Sequence, residues 1–309
     1  SVCCSTVATV TSSEKSLGRS PRESLIRWFA EQEHKSIENN KANRYLILVR
    51  IAILTRMLVT SNWINEYLQE KISAEEQAQL LTNAGFPLEN TEILPDGDTR
   101  QDFEMTSNRG DCTCHVGLAR EIAASSNNTL IEPQTAYEEL GPPVEEIASV
   151  TNEETDACPL YAAKLIQNIS VKDSPDWLST KIENRGDTTR NAIVDTTNFV
   201  LFELGQPTHI FDFDKVEGGC IIIRFAKEGE EFLPLGENAA KIKLSSKDLV
   251  IADAAKPIAL AGVKGGAETA VTTDTKNILV EVATFDPVTV RNSSRRHKIT
   301  SDSSFRFER

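Results

Sequence analysis

The sequence lacks any long apolar run. The longest, Tyr45 to Leu54, is broken by Arg50 and reaches only about half the ~20 residues needed to cross a bilayer, so no transmembrane span is expected. Positive charge is in short supply: 33 Lys and Arg stand against 46 Asp and Glu, a net charge of −13. Such a chain repels nucleic acid at long range, and contact with RNA would need a local basic patch or another chain to supply attraction. Paired CxxC units are missing as well. Cys3, Cys4, Cys112, Cys114, Cys158 and Cys220 are scattered, no export signal is read, and reduced thiols in a cytoplasmic protein are expected. Cys112, Cys114 and His115 cluster in sequence, but zinc wants a second ligand pair at comparable spacing, so no metal site is expected. No internal repeat is visible.

What is present is ordinary for a globular protein: 39% apolar and 26% charged residues in a chain of 309. That length suggests about two domains. Ser1 to Arg56 is polar for most of its length, with at best two short helical patches, and it precedes Met57, one of only two methionines. Met57 is expected to be the true start, with residues 1–56 a disordered or non-native upstream extension. Trp63, Ile64, Tyr67 and Leu68 suggest an opening helix from Ser61, and Ser73 to Gln77 has a capping-box arrangement before a helix that Gly85 ends. A strand is expected at Phe103 to Thr106 and a helix from Val116 to Ala124. Ile131 to Thr155, rich in Pro and Glu, reads as a linker. Strands then follow at Leu160 to Ser170, in the β-branched run CIIIRF from Cys220, and at four further places between Phe232 and Val263, with a helix from Asp173 to Asn184. The expected fold class is α+β: a small helical and strand module over 57–133, a linker over 134–156, and a sheet-rich module with flanking helices over 157–309.

The stretch Ile193 to Asp212, IVDTTNFVLFELGQPTHIFD, organises the chain. Asp195 or Thr196 can cap a short helix whose apolar run, Phe199 to Leu204, covers more than one face and should be buried. Gly205 suits the left-handed position past its end, and Pro207 cannot continue it. Asn198 near the start and His209 beyond the end can then face one cavity from two directions, or simply be satisfied by backbone. Glu281, in the strand pattern ILVEVA, shares a face with Leu279 and Ala283 and either reaches solvent or sits in a pocket with a donor waiting. Leu260 to Gly266 places small residues after a strand, which lets a ligand approach backbone but also makes an ordinary hairpin. Arg291, Arg295, Arg296, His297 and Lys298 gather charge on a helix started by Asp286 and Pro287, for RNA backbone or for solvent.

Several of these segments resemble the bacterial phenylalanyl-tRNA synthetase beta subunit. Thr197-Asn198, Leu204 to Pro207, His209 and Phe211-Asp212 stand in the order of the family's TN, LELGQP, H and FD. MLVTSNWINEYL from Met57 is like the family's opening, Ser107 to Cys112 (SNRGDC) is like PNRADC, and LAGVKGG from Leu260 is like LAGVMGG. The resemblance covers Met57 to Arg309. Too few residues separate Glu89 from Phe103 for the oligonucleotide-binding barrel that many members insert there, and the chain ends on RFER where the family continues, so it looks truncated.

The resemblance implies a ligase subunit of protein biosynthesis that joins phenylalanine to tRNA(Phe) with ATP and Mg, in a heterotetramer with an alpha subunit. The segment here would carry the editing module, which hydrolyses mischarged Tyr-tRNA(Phe) and itself needs no cofactor. His209 and Asn198 are then the expected catalytic residues, Glu281, Ala261, Gly262 and Thr197 the substrate contacts, and Arg295 and Arg296 the RNA contacts. Where the family commonly has an arginine that meets the tRNA terminus, this chain has Thr188, with Arg190 displaced by two; weaker RNA binding is expected. The competing reading is a non-catalytic RNA-binding or subunit-interface module of the same fold, for which the candidate residues would be dispersed.

Overall fold

The computed structural model describes residues 56–309 apart from 237 and 238. The expected upstream extension therefore falls outside the described residues, save for Arg56 at its edge.

The described chain is α+β. It opens on a three-stranded antiparallel sheet of order β1-β3-β2, formed by β1 (Arg56–Thr60), β2 (Leu88–Ile93) and β3 (Thr99–Glu104). Thus Met57 to Thr60 form a strand before the short helix α1 (Ser61–Asn65), and the strand expected at Phe103 begins four residues earlier, at Thr99. Helix α2 (Ala74–Asn83) starts where Ser73 Oγ accepts from the Glu76 amide, and Gly85 takes φ 97° just after its end. Helix α3 (His115–Ser126) closes this layer. Its sharp entry depends on Gly117, where a Cβ would sit 2.1 Å from the Asp111 carbonyl oxygen.

Trp63, Ile64, Leu81, Phe103, Leu118 and Ile122 form a first core, which also takes in Leu178, Ile182, Leu201 and Phe202. These last four lie on α4 (Asp176–Arg185) and α5 (Ala192–Leu204). Two helices from beyond the expected linker thus bury their apolar stripes against the first module. The linker stretch also contributes structure, since β4 (Ser149–Asn152) runs parallel to β7 (Cys220–Phe225) at the edge of the second module.

That module is built on two sheets. One has five strands in the order β12-β11-β10-β7-β4, with β10 (Leu249–Ala252), β11 (Pro257–Leu260) and β12 (Lys264–Gly265). The other has the order β5-β13-β6, with β5 (Leu160–Ile166), β6 (Thr208–Asp212) and β13 (Ile278–Thr284) at its centre. A small hairpin pairs β8 (Glu231–Phe232) with β9 (Ile242–Lys243). Phe211, Ile221, Ile223, Val250, Leu260 and Leu279 pack into one second core, as the continuous β-branched run of β7 demands. Helices α6 (Pro287–His297) and α7 (Asp302–Phe307) complete it, α6 starting where Asp286 accepts from the Thr289 amide at 2.7 Å.

Candidate functional site

Helix α5 is capped by Asn191, whose side-chain oxygen accepts from the amides of Ile193 and Val194 at 3.1 and 3.0 Å. The cap is therefore neither Asp195 nor Thr196. Asp195 is fully buried one turn in, where it accepts from Ser174 Oγ at 2.6 Å and from the Arg190 amide. The expected burial of the helix is also uneven: Leu201 and Phe202 are enclosed, whereas Leu204 is exposed. Gly205 ends it at φ 79° as expected. Gln206 then donates to the carbonyls of Pro207 and Ala283 at 3.0 and 3.1 Å, tying the turn to β13. The chain reverses directly into β6, so His209 lies in a strand rather than a loop.

The consequence is register. In the antiparallel ladder of β6 with β13, His209 stands directly opposite Glu281, and in that of β13 with β5, Glu281 stands opposite Ala163 and Ala283 opposite Tyr161. Since successive side chains alternate between faces, His209, Glu281 and Tyr161 share one face of the sheet. A cleft of about 690 Å³ opens beside it. His209 and Glu281 line it from the sheet, Thr197 and Asn198 from α5, Gly262, Lys264 and Gly265 from the loop around β12, and Ser301 to Ser303 from the start of α7.

Glu281 is 5% exposed, and burial pushes its pKa up to about 8, against the opposing pull of the Tyr161 hydroxyl. At neutral pH it is mostly the neutral acid. His209 is largely enclosed, with its ring edge-on to Phe211 at 4.6 Å; burial first, and then the Lys264 charge, lower its pKa to about 4. Its imidazole is therefore neutral. Gly265 makes room for that ring: a Cβ there would lie 2.2 Å from His209 Cε1 and 2.5 Å from Nε2. Thr197 donates its hydroxyl to the Val194 carbonyl at 2.6 Å and keeps acceptor capacity for the cleft. Asn198 has no hydrogen-bond partner among the described residues, so its amide is available to a ligand.

Of the other expected site residues, Gly262 lines the cleft, whereas Ala261, Arg295 and Arg296 do not. Ala261 is 2% exposed and packs in the second core, because its neighbours Leu260 and Gly262 turn toward the cleft and leave it pointing inward. Gly262, at φ 68°, touches α6 and α7 so closely that a Cβ would meet Val290 Cγ2 at 2.8 Å. Arg296 is engaged by Asp248, a fully buried carboxylate that also accepts from Ser293 Oγ and His297 Nε2, each at 2.7 Å, so it anchors α6 rather than presenting a free cation. Arg295 is exposed. Thr188 is exposed outside the cleft lining, whereas Arg190 lines it. Gly265, Lys264 and the α7 residues were not singled out from sequence; only the run of small residues hinted at the first.

The cysteine cluster is divided between other tasks. His115 is fully buried and stacked on Trp63 at 3.9 Å, with Nδ1 donating to the Phe202 carbonyl and Nε2 accepting from the Thr60 amide, so both nitrogens are committed. Burial lowers its pKa to about 3. Asp111, Cys112 and Glu121 bring ligand-type atoms together, but the Arg109 guanidinium fills their midst, at 2.8, 2.9 and 2.6 Å from them. Arg109 thereby locks the turn, and the donor set suits a guanidinium rather than a dication. Among the described residues no helix is long and apolar enough to cross a membrane.

The B3/4 domain matches residues 157–309, the part that contains both faces of the cleft's sheet module. The strands and helices that carry the cleft lining lie within this match to the B3/4 domain. A phenylalanine–tRNA ligase beta subunit from Rhodopirellula baltica is 42% identical over 253 residues, 82% of this chain and 37% of that protein. Those from Protochlamydia amoebophila and Fusobacterium nucleatum are each 43% identical, over 69% and 72% of this chain and 26% and 27% of theirs. The chain belongs to the phenylalanine–tRNA ligase beta subunit family, and it spans 37% or less of the length of these relatives. A solved N-terminal fragment of the phenylalanyl-tRNA synthetase beta-subunit from Pyrococcus horikoshii aligns over 78% of this chain and 74% of that chain at 18% identity, with a TM-score of 0.40, too loose a match to bear on the site.

Proposed function

We propose that the cleft is an editing site that hydrolyses tyrosyl-tRNA(Phe), within a larger ligase that charges tRNA(Phe) with phenylalanine. The observation that carries this reading is the placement of Glu281 directly across the ladder from His209, in one cleft with Asn198 and Thr197. Convergence of these residues from a helix and two strands supports catalysis over the dispersed arrangement expected of a purely structural module.

The chemistry is ester hydrolysis. A water attacks the carbonyl carbon, the bond to the ribose oxygen breaks, and free amino acid and a hydroxyl-ended tRNA leave. His209, neutral throughout the physiological range, accepts a hydrogen bond from the water and orients it. Asn198 donates to the carbonyl oxygen as negative charge develops there. Glu281 accepts the phenolic hydroxyl, which its neutral acid form can do through its carbonyl oxygen. A phenylalanyl group leaves that buried acceptor unpaired, and sites of this kind reject the analogue lacking the hydroxyl by about 10⁴-fold. Arg190 meets the tRNA end from the α5 side, with Arg295 a further RNA contact. Aminoacylation with ATP and Mg and pairing with an alpha subunit belong to the whole ligase, and no residue described here is assigned to holding either cofactor.

The test is deacylation of Tyr-tRNA(Phe) and Phe-tRNA(Phe) by the chain, alone and in the assembled ligase. The tyrosyl ester should be cleaved preferentially, Glu281→Ala should erase most of the preference, and His209→Ala should slow whatever is bound. Equal cleavage of both esters by the unmutated protein overturns the assignment.

A further inference from the structure

Next to Glu281, outside the cleft lining, stands a buried polar side chain that the hydrolytic scheme leaves unused. Tyr161, on edge strand β5, lies on the same face as Glu281 and diagonal to it, opposite Ala283 while Glu281 is opposite Ala163. Its hydroxyl is buried and does not line the cleft, but it acts on the Glu281 carboxyl. Tyr161 Oη and Glu281 Oε2 are both enclosed, and neither completes a hydrogen bond with another described residue. A buried hydroxyl and a buried carboxyl oxygen side by side are each costly unless they serve one another.

The remaining charged and titratable groups around Glu281 do not offer it a donor. His209 faces it from β6, but no hydrogen bond joins the two, and the ring is packed against Phe211 and the Gly265 backbone instead. Cys158, just before β5, donates to the Leu160 carbonyl, and burial raises its pKa to about 11. Asp302 is paired with Arg306 at 3.0 Å. Lys264 and Arg190 line the cleft from other elements without a hydrogen bond to Glu281.

We propose that Tyr161 is a positioning residue for Glu281, its hydroxyl steering the inner carboxyl oxygen so that the outer one is presented to a ligand hydroxyl in the cleft. This rests on the editing reading for what the ligand is, but the coupling of the two side chains is a property of the protein alone. The Tyr161 hydroxyl favours the ionised carboxyl, in opposition to burial. A phenyl ring in its place keeps the packing and removes that influence.

Two measurements on the whole chain decide it. First, the Glu281 carboxyl is titrated by ¹³C NMR, its resonance assigned through its loss in Glu281→Gln. Tyr161→Phe should raise the midpoint by about half a pH unit or more, and an unchanged midpoint overturns the proposal whether or not the cleft edits. Second, binding of 3′-tyrosylamino-3′-deoxyadenosine and its phenylalanyl counterpart, which carry an amide in place of the labile ester, is compared in both proteins. Tyr161→Phe should lower the preference for the tyrosyl compound about tenfold. A shifted midpoint with the preference intact overturns the presentation of Glu281 to the ligand. Failure of the unmutated chain to prefer the tyrosyl compound counts against the editing reading, while the titration still decides the coupling.

Discussion

Replacing Gly265 with alanine puts a methyl group where the His209 ring now lies. The new Cβ would be 2.2 Å from Cε1 and 2.5 Å from Nε2, with Leu235 Cδ1 at 3.1 Å on another side. Carbon atoms settle at about 3.5–4.0 Å, so the ring must retreat by roughly 1.5 Å. Phe211 stands edge-on at 4.6 Å and limits where it can go. Because the obstruction is the end of a side chain rather than backbone, the stability cost should fall at the low end of overpacking, about 1 kcal/mol, a fall in Tm of about 2–4 °C for a domain of this size. Activity should suffer far more, since about 1 Å of misplacement at a reacting centre costs on the order of 10²-fold. Gly266→Ala is the contrasting perturbation. Its Cβ would meet the Ile258 carbonyl oxygen at 2.5 Å, the same oxygen that accepts the Gly266 amide at 2.8 Å, so backbone must move and the stability loss should approach 3 kcal/mol. Thermal melts and Tyr-tRNA(Phe) deacylation on both variants separate the effects. A Gly265→Ala protein that hydrolyses at the unmutated rate, or that loses activity only in proportion to the fraction unfolded, refutes the placement of His209 as the group that orients the water.

Stability should depend on pH in two opposed ways. Glu281 binds its proton more tightly folded than unfolded, so between its ordinary value of 4.5 and about 8 stability falls as pH rises, and Glu281→Gln should flatten the part above pH 6.5. His115 and His209 bind protons more weakly folded, so their stabilisation is complete above 6.5 and is lost as pH falls toward about 3 and about 4; denaturant titrations at stepped pH will show a maximum between these limbs if the assignments hold. Asn191→Ala removes the acceptor that caps two amides of α5 and should cost about 1 kcal/mol, read as a shift in denaturation midpoint. A neutral result there would mean that the cap contributes nothing beyond solvent.

Local rules were enough to find most elements of this protein. Gly205 and Pro207 marked the end of α5 because glycine tolerates positive φ and proline cannot continue a helix; CIIIRF marked β7 because β-branched runs suit a buried strand. Glu281 could be placed on a strand face from alternation alone, and the motif order around Thr197 to Asp212 named the residues that meet in the cleft. What alternation could not show is which strand lies beside which. The opposition of His209 and Glu281 depends on β6 pairing with β13 across 72 positions of chain, and no local propensity encodes a partner so distant. For the same reason β4 was hidden in a Pro-rich linker, since it is a strand only because β7 offers it an edge. Helices α4 and α5 were assigned to the module that follows them in sequence, yet their apolar faces are buried in the one that precedes them. Ala261 and Arg296 show the same limit at the scale of a side chain. The sequence supplied a small residue and a cation, but packing turned the first into the core, and a buried carboxylate, Asp248, claimed the second. Sequence determined the elements and their chemistry, whereas the tertiary structure alone decided register, partners and which polar groups were left free to act, because these are set by contacts between residues far apart in the chain.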